Sequence, residues 1–600
     1  MSKFSPLSFL PFHSAASLPF HSAASLPFHS AASLHFHSAA QRRNLLFSPH
    51  SSALNISTRP SFWVRQALRL GPLASTRKLK GFSPWGMLRP TEAGSHANAQ
   101  DQNHARRWNP MKLALTTLLT FSLLAPINAQ TATAPRPAQH TQAQPWTKIP
   151  IPPLHAFTPQ KPKRIELANG LVIFLQEDHE LPFINGSILI RGGSRDVPAT
   201  KTGLVSIYGQ AWRTSGTASI SGDDLDDQME DKAASIETSG GTASTSLSWS
   251  SLTPDFDLVF SRALDLLLHP DFKADKLQLA QQQLATGIAR RNDDASGIAV
   301  REAIKLVYGA DSPYARQPEY ATVLAVTLAD LQAWHDRTVV PNNIIVAVSG
   351  DFNSAQMEAK LRAAFEPLHR GEAFPTTAVT FTDPKPGVNF AEKSDVNQSN
   401  VLIVGLGTER RNPDYYALSV MNEVFSGGFG SRVVQDVRTK LGLAYDVEGA
   451  YGASYDHPGI FYVLAGTKSA STVPAAKALE AEIERLKTEP PTPAELRKAK
   501  DQLLNSFIFH YDSPDKILNE QVTLAFYGYP LDFLDQYKAG IEKVTSADVS
   551  RVANKYIDQS KLATVVVGNE SQITPKLDTL GPVHTLDITI PPPPHNEQAQ

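Results

Sequence analysis

An internal repeat divides this sequence into two similar parts. Four segments of the first part recur in the second in the same order: 277–284 with 496–503, 308–309 with 527–528, 328–334 with 546–552, and 343–350 with 562–568. Asp330 aligns with Asp548, and Gly350 aligns with Gly568 at the same offset. The repeat predicts two similar domains of about 200 residues each. We place them at 161–370 and 388–573, joined by a proline-bearing segment at 374–387.

The residue pattern within each part predicts the fold class. Strand-like apolar runs such as 171–175 precede helical stretches such as 275–291 and 493–509. Hairpin-like patterns occur at 243–249, where polar and apolar residues alternate, and at 459–464. Paired helices next to adjacent hairpins predict an α+β fold, in which each domain packs helices against a mostly antiparallel sheet.

The composition excludes several classes of function. The formal net charge of -2 over 600 residues provides no basic surface, so no nucleic-acid partner is expected. The chain has no cysteine, which excludes disulfides, thiolate metal ligands and a cysteine nucleophile. An apolar content of 42% is sufficient for two packed cores.

The segment that begins at Met111 has the pattern of a secretory signal peptide. Lys112 precedes an apolar run at 113–126, and small residues at 127–129 form a cleavage site. The run is shorter than the ~20 residues of a spanning helix, so no integral membrane span is expected. We therefore predict a signal peptide at 111–129, a linker at 130–160, and a mature chain that starts near Gln130.

The signal peptide is predicted to begin only at Met111, so the residues before it need a separate interpretation. Residues 1–110 contain an eight-residue repeat and are predicted to be untranslated or disordered, with translation starting at Met111. If they are translated, Arg106 and Arg107 before the apolar run form a weak twin-arginine export signal. Both alternatives predict an exported protein, periplasmic or secreted. Residues 574–600 are predicted to be a tail.

Short motifs in both parts resemble those of one peptidase family. They occur, in chain order, at 167–171, 182, 192–196, 203–204 and 215–217 in the first part, and at 398–399, 427–428, 431–432 and 438–445 in the second. This order resembles the insulinase/pitrilysin zinc peptidases, which include mitochondrial processing peptidase and bacterial two-subunit relatives. The resemblance covers roughly 161–573 and implies that the two domains form a clam-shell chamber.

The zinc-binding residues of that family are missing from this chain. The family requires His-x-x-Glu-His on a helix, with two histidine ligands and a glutamate base, and a further glutamate downstream. The matching positions are Ser206, Gly209 and Gln210, and the downstream position falls at Gly287. A hydroxyl and a carboxamide are poor replacements for imidazoles, and no base remains. We therefore expect no metal in this chain, and zinc only in a partner subunit.

Two functions agree with the loss of these ligands. The first is an exported, non-catalytic subunit of a heteromeric zinc metallopeptidase, which contributes chamber wall and peptide contacts to a homologous partner with an intact His-x-x-Glu-His motif. The second is a catalytically dead peptidase-like binding or scaffold protein. In either case the chain is not expected to cleave peptides alone, and fold analogy does not choose between them.

Arg438 and Tyr445 are the predicted functional residues of the second part. Apolar residues follow one helical face over 433–441, and Gly442 can end the helix, so a tight turn brings Tyr445 beside Arg438. From the local sequence alone, the simpler explanation is an arginine favoured by the helix dipole and a packed strand tyrosine. The resemblance implies instead that both residues reach the partner's zinc site, where they hold the peptide and stabilise the transition-state oxygen.

Overall fold

The computed structural model describes residues 160–375 and 378–594. We call these two ranges the first half and the second half; both belong to one compact unit. The predictions for residues 1–110, for the signal peptide at 111–129 and for the linker up to residue 159 lie outside the described residues.

The first half contains a six-stranded sheet. Its strands are β1 (Lys163–Glu166), β2 (Val172–Glu177), β3 (Phe183–Arg191), β4 (Ser235–Gly240), β5 (Ser244–Leu252) and β6 (Ile344–Gly350). The order across the sheet is β1-β2-β6-β3-β5-β4. Only the β2–β6 pair is parallel, and all other neighbours are antiparallel.

Eight α-helices accompany this sheet among the described residues of the first half. They are α1 (Leu204–Ser215), α2 (Gly222–Asp231), α3 (Phe256–Leu268), α4 (Ala274–Ala289), α5 (Ala295–Tyr308), α6 (Tyr320–Leu324), α7 (Leu328–Thr338) and α8 (Ser354–Phe365). Fully buried residues of α1, α3 and the sheet form one hydrophobic core. Trp212 and Leu247 are two of these buried residues.

The second half contains a seven-stranded sheet. Its strands are β7 (Val388–Glu392), β8 (Gln398–Leu406), β9 (Thr408–Glu409), β10 (Ala444–Ser454), β11 (Pro458–Lys468), β12 (Ala563–Gly568) and β13 (Val583–Thr585), in the order β13-β7-β12-β8-β11-β10-β9. Its described helices are α9 (Tyr415–Ser426), a π-helix (Val434–Lys440), α10 (Thr472–Thr488), α11 (Pro493–Ser506), α12 (Pro514–Phe526), α13 (Phe533–Lys543) and α14 (Ser546–Tyr556).

The two sheets share one topology, and the predicted α+β fold with two similar parts is confirmed. Strands β2, β6, β3, β5 and β4 correspond in order and direction to β7, β12, β8, β11 and β10. The repeated helices α7 and α14 begin with the same capping box. The Asp330 N–H donates to Thr327 Oγ1, the Asp548 N–H donates to Thr545 Oγ1, and each aspartate accepts from the N–H of its threonine.

Each half supplies a helix that covers the sheet of the other half. Ile298 of α5 is buried in one cluster with Val404 of the second sheet. Leu524 of α12 is buried in another cluster with Ala347 of the first sheet. The two halves are therefore interlocked by apolar contacts on the inner faces of both sheets, although the exact boundaries at 161–370 and 388–573 stay a prediction.

A buried ion pair joins the halves at the same boundary. Arg195 of the first half pairs with Asp456 of the second, and their side chains are only 10% and 4% exposed. Arg195 Nη1 also donates to the Tyr314 hydroxyl at 3.0 Å. The Tyr314 ring in turn stacks on His457, with ring centroids 4.1 Å apart. These contacts fix the relative position of the two halves with charge as well as apolar area.

The described residues of the predicted tail contact both halves. Strand β13 extends the second sheet beside β7. The chain then crosses to the first half, where Ile588 O accepts from Asn292 Nδ2 at 2.6 Å and Ile590 packs against the first core. Leu586, Ile588 and Ile590 alternate with polar residues, as expected of an extended segment with one buried side.

Candidate functional site

The four positions of the lost zinc motif lie on two neighbouring helices. Helix α1 carries Ser206, Gly209 and Gln210, and it packs against α4, which carries Gly287. Ser206 is half-buried, Gly209 is buried, and Gln210 and Gly287 are exposed. The structure thus gathers the positions on one pair of helices, as the resemblance implied, with none of the zinc-binding side chains present.

Gly209 lies against the backbone of edge strand β4. A Cβ atom there would lie 2.4 Å from Gly240 N, closer than non-bonded atoms approach. The Thr238 hydroxyl donates to Gly209 O at 2.6 Å and accepts from the Arg213 N–H at 3.2 Å, so β4 is also hydrogen-bonded to the helix backbone. A glutamate base at 209 would require β4 to move. At Gly287, by contrast, an added Cβ meets nothing within 4 Å.

The buried side of α1 is an aromatic cluster rather than a polar site. The Tyr208 hydroxyl lies 2.9 Å from His335 Nδ1, and Trp212 Nε1 donates to Leu266 O at 2.8 Å. The Trp212 and His335 rings meet edge to face at 5.5 Å. Burial lowers the pKa of His335 to about 4, so the imidazole is neutral at pH 7. His335 is therefore a core residue with a satisfied ring nitrogen.

Arg438 lies in the π-helix Val434–Lys440. The Leu441 N–H donates to Asp436 O, five residues earlier, at 3.0 Å. Because this turn is wider than an α-turn, the predicted apolar face breaks: Val437 is buried whereas Leu441 is 58% exposed. Single π-turns often occur at functional sites, and here the change of turn positions the arginine at the protein surface.

The Arg438 guanidinium lies between two exposed aromatic rings. Its central carbon is 5.2 Å from the centroid of the Tyr445 ring and 5.4 Å from that of the Phe429 ring. Tyr445 is 80% exposed and Phe429 is 76% exposed. Gly442, with φ of +62°, makes the turn that returns the chain to Arg438. The structure therefore brings Arg438 and Tyr445 together as expected from the sequence, while their roles stay a prediction.

Glu448 is a half-buried acid on the same strand as Tyr445. Burial, reinforced by the nearby Asp446 carboxylate, raises the pKa of Glu448 to about 7. Carboxylates with displaced pKa values cluster at functional sites, although buried structural groups show the same effect. Glu448 therefore changes its charge close to neutral pH, on the strand that carries Tyr445.

A cavity of about 530 Å3 lies between the two halves. Hydroxyl groups of Ser187, Ser244 and Ser246 line one wall, on strands β3 and β5. Helix α12 forms the facing wall through side chains one turn apart, which include Lys516, Glu520 and Thr523. Its volume falls within the usual range of ligand pockets, so this cavity, whose lining is more apolar than polar, is large enough for a peptide segment.

Two structural features are absent from residues 160–375 and 378–594, the part of the chain that the structure describes. Within them, no group of three or more His, Asp or Glu side chains is placed to hold one metal ion. No helix in this part of the chain has both the length and the apolar composition to cross a membrane. Whether the chain binds zinc stays a prediction.

Comparisons with known proteins agree with the sequence motifs. Residues 325–503 match the family model described as the peptidase M16 inactive domain. A relative named "Non-peptidase homolog YmxG" from Helicobacter pylori is 22% identical over 409 residues, which cover 67% of this chain and 92% of the relative. An "Uncharacterized zinc protease" from Rickettsia felis is 21% identical over 68% of this chain and 97% of its own. The crystal structure of a peptidase M16 inactive domain from Pseudomonas fluorescens superposes with a TM-score of 0.62 at 24% identity, covering 68% of this chain and 98% of that one.

These matches confirm the predicted resemblance to the M16 family of insulinase/pitrilysin peptidases. The chain is therefore similar to M16 proteins, including one named as a non-peptidase homologue, and its positions that match the zinc motif hold Ser206, Gly209 and Gln210.

Sequence reasoning missed Phe429 as a member of the Arg438 cluster. A large aromatic residue between glycines at 427–428 and 430 is a signal for a ring presented on a loop. It also missed the contact of Gly209 with Gly240. Nothing in the sequence separates a glycine needed for close packing from one in open space, such as Gly287.

Proposed function

We propose that this chain is the exported, non-catalytic subunit of a two-subunit zinc peptidase. A homologous partner with an intact His-x-x-Glu-His motif would hold the zinc, and this chain would complete the chamber that encloses the peptide. The observation that carries the proposal is an asymmetry between the halves. Gly209 is packed against β4, so the motif helix has no room for a base, whereas half-buried Arg438 stacks on the exposed ring of Tyr445.

In this proposal Arg438 and Tyr445 act in the active site of the partner. No ion pair or hydrogen bond occupies the Arg438 guanidinium within residues 160–375 and 378–594, so its donors remain free for a peptide carbonyl or carboxylate. The Tyr445 hydroxyl would donate to the oxygen that becomes negative in the transition state. Such donors are worth ~100- to 1000-fold in turnover.

Reconstitution tests the proposal directly. The chain is purified alone and together with an exported homologue that carries the intact motif, and complex formation, zinc content and peptide hydrolysis are measured. We expect zinc and hydrolysis only in the complex. Tyr445→Phe should then lower turnover ~100-fold or more without loss of assembly, and Arg438→Ala should also weaken peptide binding.

Matched controls are available within the chain. Tyr320→Phe removes the hydroxyl of a half-buried tyrosine in the first half, and Arg164→Ala removes an exposed arginine on edge strand β1. Neither control should change turnover. A complex that keeps full turnover with both Tyr445→Phe and Arg438→Ala would make these residues structural and refute the shared-site proposal.

The second candidate is a peptidase-like binding protein without any catalytic partner. The cavity of about 530 Å3 favours it, because this single chain encloses it with walls from both halves. Tight peptide binding by the chain alone, together with no complex with any motif-bearing homologue, would support this candidate over the first.

We also propose export. Support comes from the signal-peptide pattern at 111–129. Cell fractionation and N-terminal sequencing test it: the mature protein should be periplasmic or secreted and start near Gln130. A cytoplasmic protein that retains residues 111–129 would contradict it.

A further inference from the structure

A second cavity, of about 370 Å3, lies within the second half beside α9 and edge strand β10. It is separate from both the Arg438 cluster and the chamber between the halves. Among the described residues that line it, only Arg410 and Glu423 are charged. Tyrosines and aliphatic side chains form most of the remaining wall, and they include Tyr415, Tyr462 and Leu503.

Arg410 enters the cavity without a carboxylate partner. Its Nη1 donates to the Tyr455 hydroxyl at 2.8 Å, its Nε donates to Ala453 O at 3.3 Å, and the guanidinium stacks on the Tyr455 ring at 4.0 Å. Glu520 lies close enough to interact electrostatically, but it forms no ion pair with Arg410. The stacked guanidinium is thus held in a fixed orientation, and donors remain for an anionic group in the cavity.

Glu423, near the C-terminal end of α9, has a carboxylate oxygen that is not satisfied by the described residues. Its Oε1 is buried and has no hydrogen-bond partner among the described residues. The side chain folds back onto the helix end, where a Cβ on Gly427 would lie 2.1 Å from Oε1. The C-terminus of a helix disfavours negative charge, and burial raises the pKa of Glu423 further. Lys498 interacts electrostatically with this half-buried carboxylate, but Oε1 has no hydrogen-bond partner among the described residues, and an ammonium group supplied by a ligand would satisfy it.

The spacing of these two groups sets the minimum length of the ligand. Arg410 is close enough to Tyr415, at the start of α9, to interact with it electrostatically, and the backbone of Glu423 lies eight residues further along this helix, or ~12 Å at 1.5 Å per residue. We propose that the cavity binds a short peptide with free termini, with its carboxylate on Arg410 and its ammonium on Glu423. Three extended residues span ~10 Å, so the ligand needs at least three residues to reach both groups.

The polar side chains that line the cavity between the two charges are already hydrogen-bonded within the protein. The Ser419 hydroxyl donates to Tyr415 O at 2.9 Å. Asn422 cannot serve the ligand, because its amide already bonds the backbone of Tyr451: Nδ2 donates to Tyr451 O at 3.0 Å, and Oδ1 accepts from the Tyr451 N–H. The cavity therefore selects its ligand through the two terminal charges of the peptide, and the apolar walls tolerate different peptide side chains.

Calorimetric titration of the purified chain tests this inference without a partner subunit, so its outcome is independent of the proposed peptidase complex. The probe is the tripeptide Ala-Leu-Ala, compared with its N-acetylated and C-amidated forms. Each blocked form removes one charge. We expect the free tripeptide to bind, and each blocked form to bind ~10- to 100-fold more weakly, because each loses a charge-assisted hydrogen bond.

Two variants assign each end of the ligand. Arg410→Gln should lose the preference for a free carboxylate but keep the preference for a free ammonium, and Glu423→Gln should do the reverse. Arg411→Gln is the matched control, because Arg411 donates to Tyr527 O at 2.7 Å and does not line the cavity. It should bind all three peptides like the wild type.

Two results would overturn the inference. One is no binding of the free tripeptide at millimolar concentration, and the other is equal binding of free and blocked forms. If Arg410→Gln fails to fold, the comparison of the three peptides on the wild-type chain still decides the question.

Discussion

Replacing Gly209 with alanine measures how closely the zinc-motif helix packs against the first sheet. The new Cβ would lie 2.4 Å from Gly240 N and 2.7 Å from the Ser239 carbonyl carbon, so backbone atoms of β4 must move. Overpacking of a core costs about 1 to 3 kcal/mol, and obstruction by backbone argues for the upper end. Alanine in place of glycine within a helix regains about 1 kcal/mol. We expect a net loss of about 2 kcal/mol.

Gly287→Ala is the matched control, since it makes the same change at another zinc-motif position. Gly287 lies on exposed α4, where the added methyl meets no atom within 4 Å. This variant should gain about 0.5 to 1 kcal/mol from helix propensity alone. The same substitution is thus expected to act with opposite sign at two positions of one lost motif.

Thermal unfolding followed by circular dichroism checks both variants. For a unit of about 430 residues, an unfolding entropy of about 2.1 cal/mol/K per residue makes 1 kcal/mol correspond to about 1 °C. Gly209→Ala should therefore unfold about 2 °C below the wild type, and Gly287→Ala slightly above it. If Gly209→Ala is as stable as Gly287→Ala, then α1 is not in close contact with β4. The steric reason why a glutamate at 209 cannot be restored would then be wrong.

Three further expectations concern pH, the boundary between the halves, and the connection. Because the pKa of Glu448 is about 7 in the folded protein against a usual 4.5, stability should be greatest at acidic pH and fall as pH rises from 4.5 to 7. The loss in the free energy of unfolding is at most about 3 kcal/mol, and nearer 1 to 2 kcal/mol after solvent screening. Thermal unfolding of Glu448→Gln should lack this dependence on pH. Asp456→Ala should cost about 1 to 3 kcal/mol, because buried Arg195 keeps only its longer ion pair with Asp196, at 3.7 Å, and Asp395→Ala, at a carboxylate that is 72% exposed, should cost almost nothing in the same unfolding assay. Proteinase K should cut first between Phe374 and Gly387. The two fragments should nevertheless elute together in gel filtration, because α5 and α12 each cover the sheet of the opposite half. Early cleavage inside 343–350 would contradict the assignment of that segment to the buried strand β6.

The fold was predictable because its determinants are periodic and repeated. Aligned segments such as 328–334 and 546–552 became equivalent helices with the same capping box, and the apolar runs after them became the central strands β6 and β12. Each signal is local in sequence, and its repetition at one offset separates it from chance. The exchange of α5 and α12 between the halves was not predictable, because a helix with one apolar face gives no indication of which sheet it covers.

The sequence predicted the candidate site only where its functional residues lie close together along the chain. Gly442 predicted a turn, and that turn places Tyr445 beside Arg438. The π-turn that exposes Leu441 has no sequence signature, because it depends on how the helix meets the strand that follows. The cavity with Arg410 and Glu423 is formed by residues from α9, β10, β11, α11 and α13, so its charges are separated widely along the chain. A pattern search within one segment cannot find such a site.

Equivalent helix–strand pairs in the two halves differ in the space between helix and strand. This difference determines which half has room for a ligand. In the first half, α1 meets edge strand β4 through Gly209 and Gly240, with backbone against backbone and no space between them. In the second half, the equivalent helix α9 meets edge strand β10 through longer side chains. Asn422 bonds the Tyr451 backbone, and the Ser426 hydroxyl accepts from the Gly449 N–H at 2.7 Å. These side chains satisfy the strand edge and keep helix and strand apart, which leaves the cavity that holds Arg410 and Glu423. A duplicated fold has therefore lost its ligand space at one helix–strand pair while keeping it at the other, so substitutions along α9 and β10 should alter ligand binding, whereas substitutions at Gly209 should alter stability.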